Sequence, residues 1–112
     1  MANGIDGLIF KHGELLPCKL ANPVSESWDA FWKDVCEQLG KGKVVEFGAH
    51  LVALEQAAEP VSGFLLGKQL HGQVIFIGRV FTTDGGEDAV SLTEGQKELI
   101  KTIQKQEDTK DE

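Results

Sequence analysis

The chain holds 112 residues, with 41% hydrophobic and 26% charged side chains and a formal net charge of -7. That size suits one domain, and the composition is that of a packed protein rather than a disordered one. The charge disfavours a nucleic-acid backbone as partner, since phosphate binding needs clustered Lys and Arg, and Arg79 is the only arginine in the sequence.

The first ten residues, "MANGIDGLIF", lack the basic region and apolar stretch of a secretory signal. No apolar run approaches the roughly 20 residues that span a bilayer. On these grounds the sequence reads as cytoplasmic, with no membrane role. Cys18 and Cys36 are too few and too far apart for a disulfide framework or a structural zinc site, so neither cofactor nor metal is expected.

The first element, "GLIFKHGELLPCKL", alternates around His12-Gly13. It predicts a hairpin whose tight turn takes positive φ, which Gly supplies freely and His tolerates. His12 at the tip and Cys18 down the return strand should not touch, because strands advance about 3.3 Å per residue.

"NPVSESWDAFWKDVCEQLGKG" predicts a helix over roughly Val24 to Leu39, capped by Asn22 or Ser25 and closed by Gly40. Val24, Trp28, Phe31, Trp32, Val35, Cys36 and Leu39 fall within an arc of about 140°, the face expected to pack. Cys36 is expected in the core. Trp28 and Trp32 stand one turn apart. Either both pack on the sheet, or one edge of this wide stripe stays open for a partner or for a second copy in a homodimer.

"KVVEFGAHLVAL" alternates apolar residues at odd positions and predicts one strand from Lys43 to about Leu54, bulged at Gly48. His50 and Glu46 share its polar side. A second hairpin is expected at His71-Gly72. "QVIFIGRVF" is apolar on both faces, so it predicts a central strand covered on both sides; Arg79 interrupts one face, where a carboxylate could pair with it.

"TTDGGED" gathers Asp84, Glu87 and Asp88 around two glycines. It lacks the alternating oxygen ligands of a calcium loop and the helix start of a phosphate loop, so it predicts a turn. "SLTEGQKELIKTIQ" predicts a closing helix with a capping box from Ser91 and Glu94 or from Thr93 and Gln96, and a narrow stripe of Leu99, Ile100 and Ile103. Residues 105–112, without apolar side chains, read as a disordered tail after a domain of residues 1–104.

The expected fold is α+β: an antiparallel or mixed sheet of about five strands with two helices, in the order ββ-α-β-ββ-α. With no nucleophile elbow, dinucleotide fingerprint or metal set, the expected function is that of a small acidic protein-binding module. It would be an inhibitor, antidote, adaptor or accessory subunit for a protein partner, and the acidic surface favours a basic one. Its contacts are assigned to Asp84, Glu87 and Asp88 on the loop and Trp28 and Trp32 on the helix. The alternative is a small-ligand domain or minor enzyme with a pocket between sheet and first helix and Cys18, His50 or Arg79 at its mouth.

Overall fold

The computed structural model describes residues 4–23, 27–40 and 42–105. The fold is α+β, and all its strand pairings are antiparallel. Among the described residues a six-stranded sheet runs β2 (Glu14–Leu20), β1 (Ile5–Lys11), β7 (Val74–Phe81), β4 (Leu51–Glu55), β3 (Lys43–Glu46), with β8 (Glu87–Val90) also paired to β7; a smaller sheet runs β6 (Lys68–His71), β5 (Val61–Leu65), β9 (Gln104–Lys105).

β1 (Ile5–Lys11) and β2 (Glu14–Leu20) form the expected first hairpin. His12 (φ 53) and Gly13 (φ 77) make its turn, the left-handed pair that matches strand twist.

Helix α1 spans Trp28–Leu39, shorter than the sequence suggested. Ser27 is extended and its hydroxyl accepts the Ala30 amide, so the cap lies nearer the aromatic row than Asn22 or Ser25; residues 24–26 fall outside those described. Gly40 (φ 76) ends the helix. Phe31, Val35 and Leu39 are its buried row. Trp28, Trp32 and Cys36, one residue round the helix, are exposed. Cys36 is therefore not core: a cylinder on a flat sheet buries one ridge fully, and the neighbouring ridge tilts toward water.

The strand expected over Lys43–Leu54 is a hairpin, β3 (Lys43–Glu46) and β4 (Leu51–Glu55), in register Val44 to Leu54 and Glu46 to Val52. Gly48 (φ 115) lies in the bend. The odd residues Val45, Phe47, Leu51 and Ala53 still share one core, as their alternation implied. Folding back about an odd centre preserves that parity, so period alone cannot separate a hairpin from a continuous strand.

The second hairpin is also displaced. β5 (Val61–Leu65) and β6 (Lys68–His71) turn at Leu66-Gly67, both at positive φ. His71-Gly72 instead carries the chain from the small sheet into β7 (Val74–Phe81) of the large one. Leu66 is an unfavourable residue at φ 52 and is exposed, which hid the turn. Replacing Leu66 with Asn should raise stability by about 0.5–1 kcal/mol, visible as an upward shift in thermal midpoint; an unchanged or lower midpoint would show that Leu66 packs usefully.

β7 is the central strand expected. Ile75 and Ile77 join Ile5, Ile9, Leu20, Phe31, Val35 and Leu54 under α1, while Val74 and Phe76 join Phe10, Leu65, Leu70, Leu92 and Ile100 on the other face. Along one edge β7 pairs first with β1 and then with β8 (Glu87–Val90). Leu92 donates to the Asp6 carbonyl where the two meet. α2 (Glu94–Ile100) starts in the Thr93–Gln96 capping box, the second of the two foreseen. It covers the second face through Ile100, with Leu99 and Ile103 beside it. β9 (Gln104–Lys105) then adds to β5, so Lys105 is paired; residues 106–112 of the expected tail lie outside those described.

Candidate functional site

On the α1 face, the sheet extends further than the helix covers. The strand alternation places Val44 and Glu46 of β3, Val52 and Leu54 of β4, Ile77 and Arg79 of β7, and Glu87 and Ala89 of β8 on this face. Where α1 begins, Trp28 and Trp32 overhang this margin and leave a recess of about 90 Å3. Val52, Leu54, Ile77 and Ala89 also line it, with Val44, Arg79, Glu87 and Asp88. Four of the five residues assigned from sequence thus meet at one place.

The two tryptophans are held by the buried Phe31, against which both rings pack edge-on, at centroid distances of 5.3 and 5.2 Å. They are nevertheless 41% and 39% exposed, and Val44 is 47% exposed.

Arg79 organises the polar end. Its Nε donates to the Ala49 carbonyl (3.0 Å) and one terminal nitrogen to the Gly48 carbonyl (3.2 Å). The other reaches Glu46 (2.7 Å) and Glu87 (3.4 Å), and the guanidinium lies over the Phe81 ring at 4.9 Å. The sequence raised the idea of a carboxylate partner for Arg79, and it has two. Its own head is only 10% exposed, whereas Glu46 and Glu87 remain 60% and 55% exposed. The guanidinium thus makes four hydrogen bonds, to β3, β8 and the bend between β3 and β4, and holds the Glu46 carboxylate next to Glu87, which lines the recess. Its hydrogen bond and charge hold Glu46 below the usual carboxylate range, and Glu46 in turn raises Arg79.

Asp84 stands apart, outside the recess lining. The Thr82 hydroxyl and the Gly86 amide donate to its carboxylate, and these bonds hold its pKa down, Thr82 foremost. With Gly85 at φ 89 and the Thr82 amide bonded to the Gly86 carbonyl, the segment is a self-satisfied turn joining β7 to β8.

The nucleophile candidates are dispersed. Cys18 is buried, its thiol donates to Gln38 at 3.3 Å, and burial pushes its pKa up. His50 donates through Nδ1 to the Arg79 carbonyl and packs against Phe81. Neither lines the recess. A separate hollow of about 310 Å3 beside Cys18 is lined by Asp6 and Lys19, which pair with each other at 3.0 Å. Buried Glu55 accepts the His71 amide (3.0 Å) and lies 3.3 Å from His71 Nδ1, a link between β4 and β6. Among the described residues, no three His, Cys, Asp or Glu are grouped to hold a metal ion, and no helix is long and apolar enough to cross a membrane.

The sequence analysis did not single out Val44, which lines the recess, or Glu46, which Arg79 holds beside it. Their signal was the even parity of "KVVE", which sets them beside each other on the face opposite Val45. Comparison with protein-family models, with curated proteins and with solved structures finds no match.

Proposed function

We propose that the protein is a small binding module that recognises a basic protein segment through the tryptophan recess. The observation that carries this reading is the convergence of Trp28 and Trp32 with Glu87 and Asp88 around one opening, with Glu46 beside them. Indoles at an interface bury large area with little entropy loss, and carboxylates around them select cationic partners and speed their encounter. The net charge of -7 acts in the same sense.

The size of the recess favours a protein partner over a metabolite. About 90 Å3 takes one side chain, whereas small-molecule sites usually enclose roughly 300–1,000 Å3.

Selection of a random peptide library on the full chain, followed by affinity measurement on the synthesised winners, tests the reading. Trp28→Ala and Trp32→Ala should each weaken binding at least about tenfold, or 1.4 kcal/mol, with circular dichroism unchanged. Glu87→Gln with Asp88→Asn should weaken it and flatten its salt dependence, while Asp84→Asn should leave it within about twofold, as for an exposed charge outside the contact. Winners that ignore both tryptophans would refute the recess as the binding surface.

A further inference from the structure

β3 forms one edge of the six-stranded sheet, and among the described residues β4 is the only strand paired with it. The direction of its free groups follows from one hydrogen bond. Phe47 donates to the Leu51 carbonyl at 2.9 Å, which makes that pair a bonded one. In an antiparallel ladder bonded and non-bonded pairs alternate, so Val45 bonds to Ala53, while Val44 and Glu46 turn their N–H and C=O groups away from β4. The Glu46 carbonyl confirms this outward direction, because it accepts Lys68 Nζ at 2.7 Å. Among the described residues, the Val44 amide and carbonyl and the Glu46 amide are open to a further strand.

This edge borders the recess. Val44 lines it and is half exposed, and Glu46 follows two residues later on the same face, fixed by Arg79 next to Glu87. A residue paired opposite Val44 would therefore point its side chain toward the tryptophan side, and the one two positions along would meet two exposed carboxylates. We infer that the partner docks by adding an extended segment to the β3 edge, with an apolar residue beside Val44 and a Lys or Arg two residues away beside Glu46 and Glu87. The inference rests on the recess reading above and specifies its geometry. A foreign segment suits the edge better than a second copy of this chain: self-pairing would bring the Glu46 residues of both edge strands toward one seam, where like charges repel. Lys68 already occupies the Glu46 carbonyl, so the docked segment pairs with the Val44 amide and carbonyl and with the Glu46 amide.

The peptides selected from the random library on the full chain serve as probes. They should share an apolar-x-basic spacing. N-methylation at alternate residues should lower affinity at least tenfold in one register and leave it nearly unchanged in the other. Bound peptide should slow hydrogen exchange at the Val44 and Glu46 amides. Peptides that lose affinity on Trp32→Ala yet tolerate N-methylation in both registers would overturn strand addition and leave the recess reading intact. Failure to enrich any peptide sensitive to Trp32→Ala would overturn both. Self-association seen by light scattering, abolished by a change at Val44, with no peptide bound at the edge, would overturn the foreign segment in favour of a second copy.

Discussion

Gly7→Ala should cost about 3 kcal/mol, the upper end of what overpacking does, and lower the thermal midpoint by roughly 12–20 °C for a domain near this size. Gly7 lies in β1 where that strand runs against β7. A methyl group there would stand 2.5 Å from the Phe76 carbonyl oxygen and 3.3 Å from Ile77. The obstacle is backbone, so no rotamer change relieves it. To make room, β1 must move off β7, loosening the Leu8–Phe76 and Ile9–Ile75 pairs and with them Ile5, Ile9 and Phe10 in both cores. Gly95→Ala provides the contrast. Its added carbon would meet only the Thr93 hydroxyl at 3.9 Å, in a helix where Ala is favoured, so it should be neutral or stabilise by up to about 0.5–1 kcal/mol. Thermal melts of the two variants check the pair. Equal midpoints would show that β1 and β7 are not in the close approach described.

Arg79→Met should lower the midpoint by roughly 10 °C, corresponding to about 2 kcal/mol of lost charge-assisted bonds. Most of that comes from the Gly48 and Ala49 carbonyls, which Arg79 holds across the β3–β4 bend; the carboxylate pairs are exposed and solvent screens them. The pH dependence has a definite sign. Glu46 is held below its ordinary value by Arg79, so its contribution is complete above the ordinary carboxylate range and is lost as pH falls through the lowered value. Arg79, raised further, stays charged throughout. The gap in midpoint between wild type and Arg79→Met should therefore be widest near neutrality and narrow below about pH 4. Asp84, held down through Thr82 and Gly86 rather than Arg79, should give both proteins the same residual acid sensitivity. A gap that stays constant from pH 7 to pH 3 would contradict the clamp.

Much of the fold was legible because local chemistry and tertiary demand coincide. His12-Gly13 is a turn by composition and by φ, and Thr93 with Gln96 caps α2 as its spacing implies. The doubly apolar "VIFI" is central because both of its faces need cover. Legibility failed where tertiary contacts override local preference. Nothing in "FGAHL" announces that Arg79, some thirty residues on, will hold its carbonyls and bend it back. Leu66 turns at positive φ against its own preference, so the more turn-like His71-Gly72 was favoured in its place. At the site, the tryptophans and the acidic residues were each visible, but not their meeting. That depends on the β8 hairpin folding back beside β7 under the start of α1, a long-range pairing that no periodicity encodes. Cys36 was misplaced for the same reason: an arc drawn on a helical wheel does not reveal which ridge the sheet receives.

Trp28 and Trp32, the chain's only tryptophans, stand half open beside carboxylates. Quenching of their fluorescence by caesium and by iodide, each scaled to a free tryptophan amide, measures this directly in the unliganded protein. Caesium should quench more effectively than iodide on that scale, and the preference should shrink when Glu46, Glu87 and Asp88 are replaced by their amides, more than when three acidic residues away from the recess are replaced. Tryptophans shielded from both ions, or equally open to both before and after those substitutions, would contradict it.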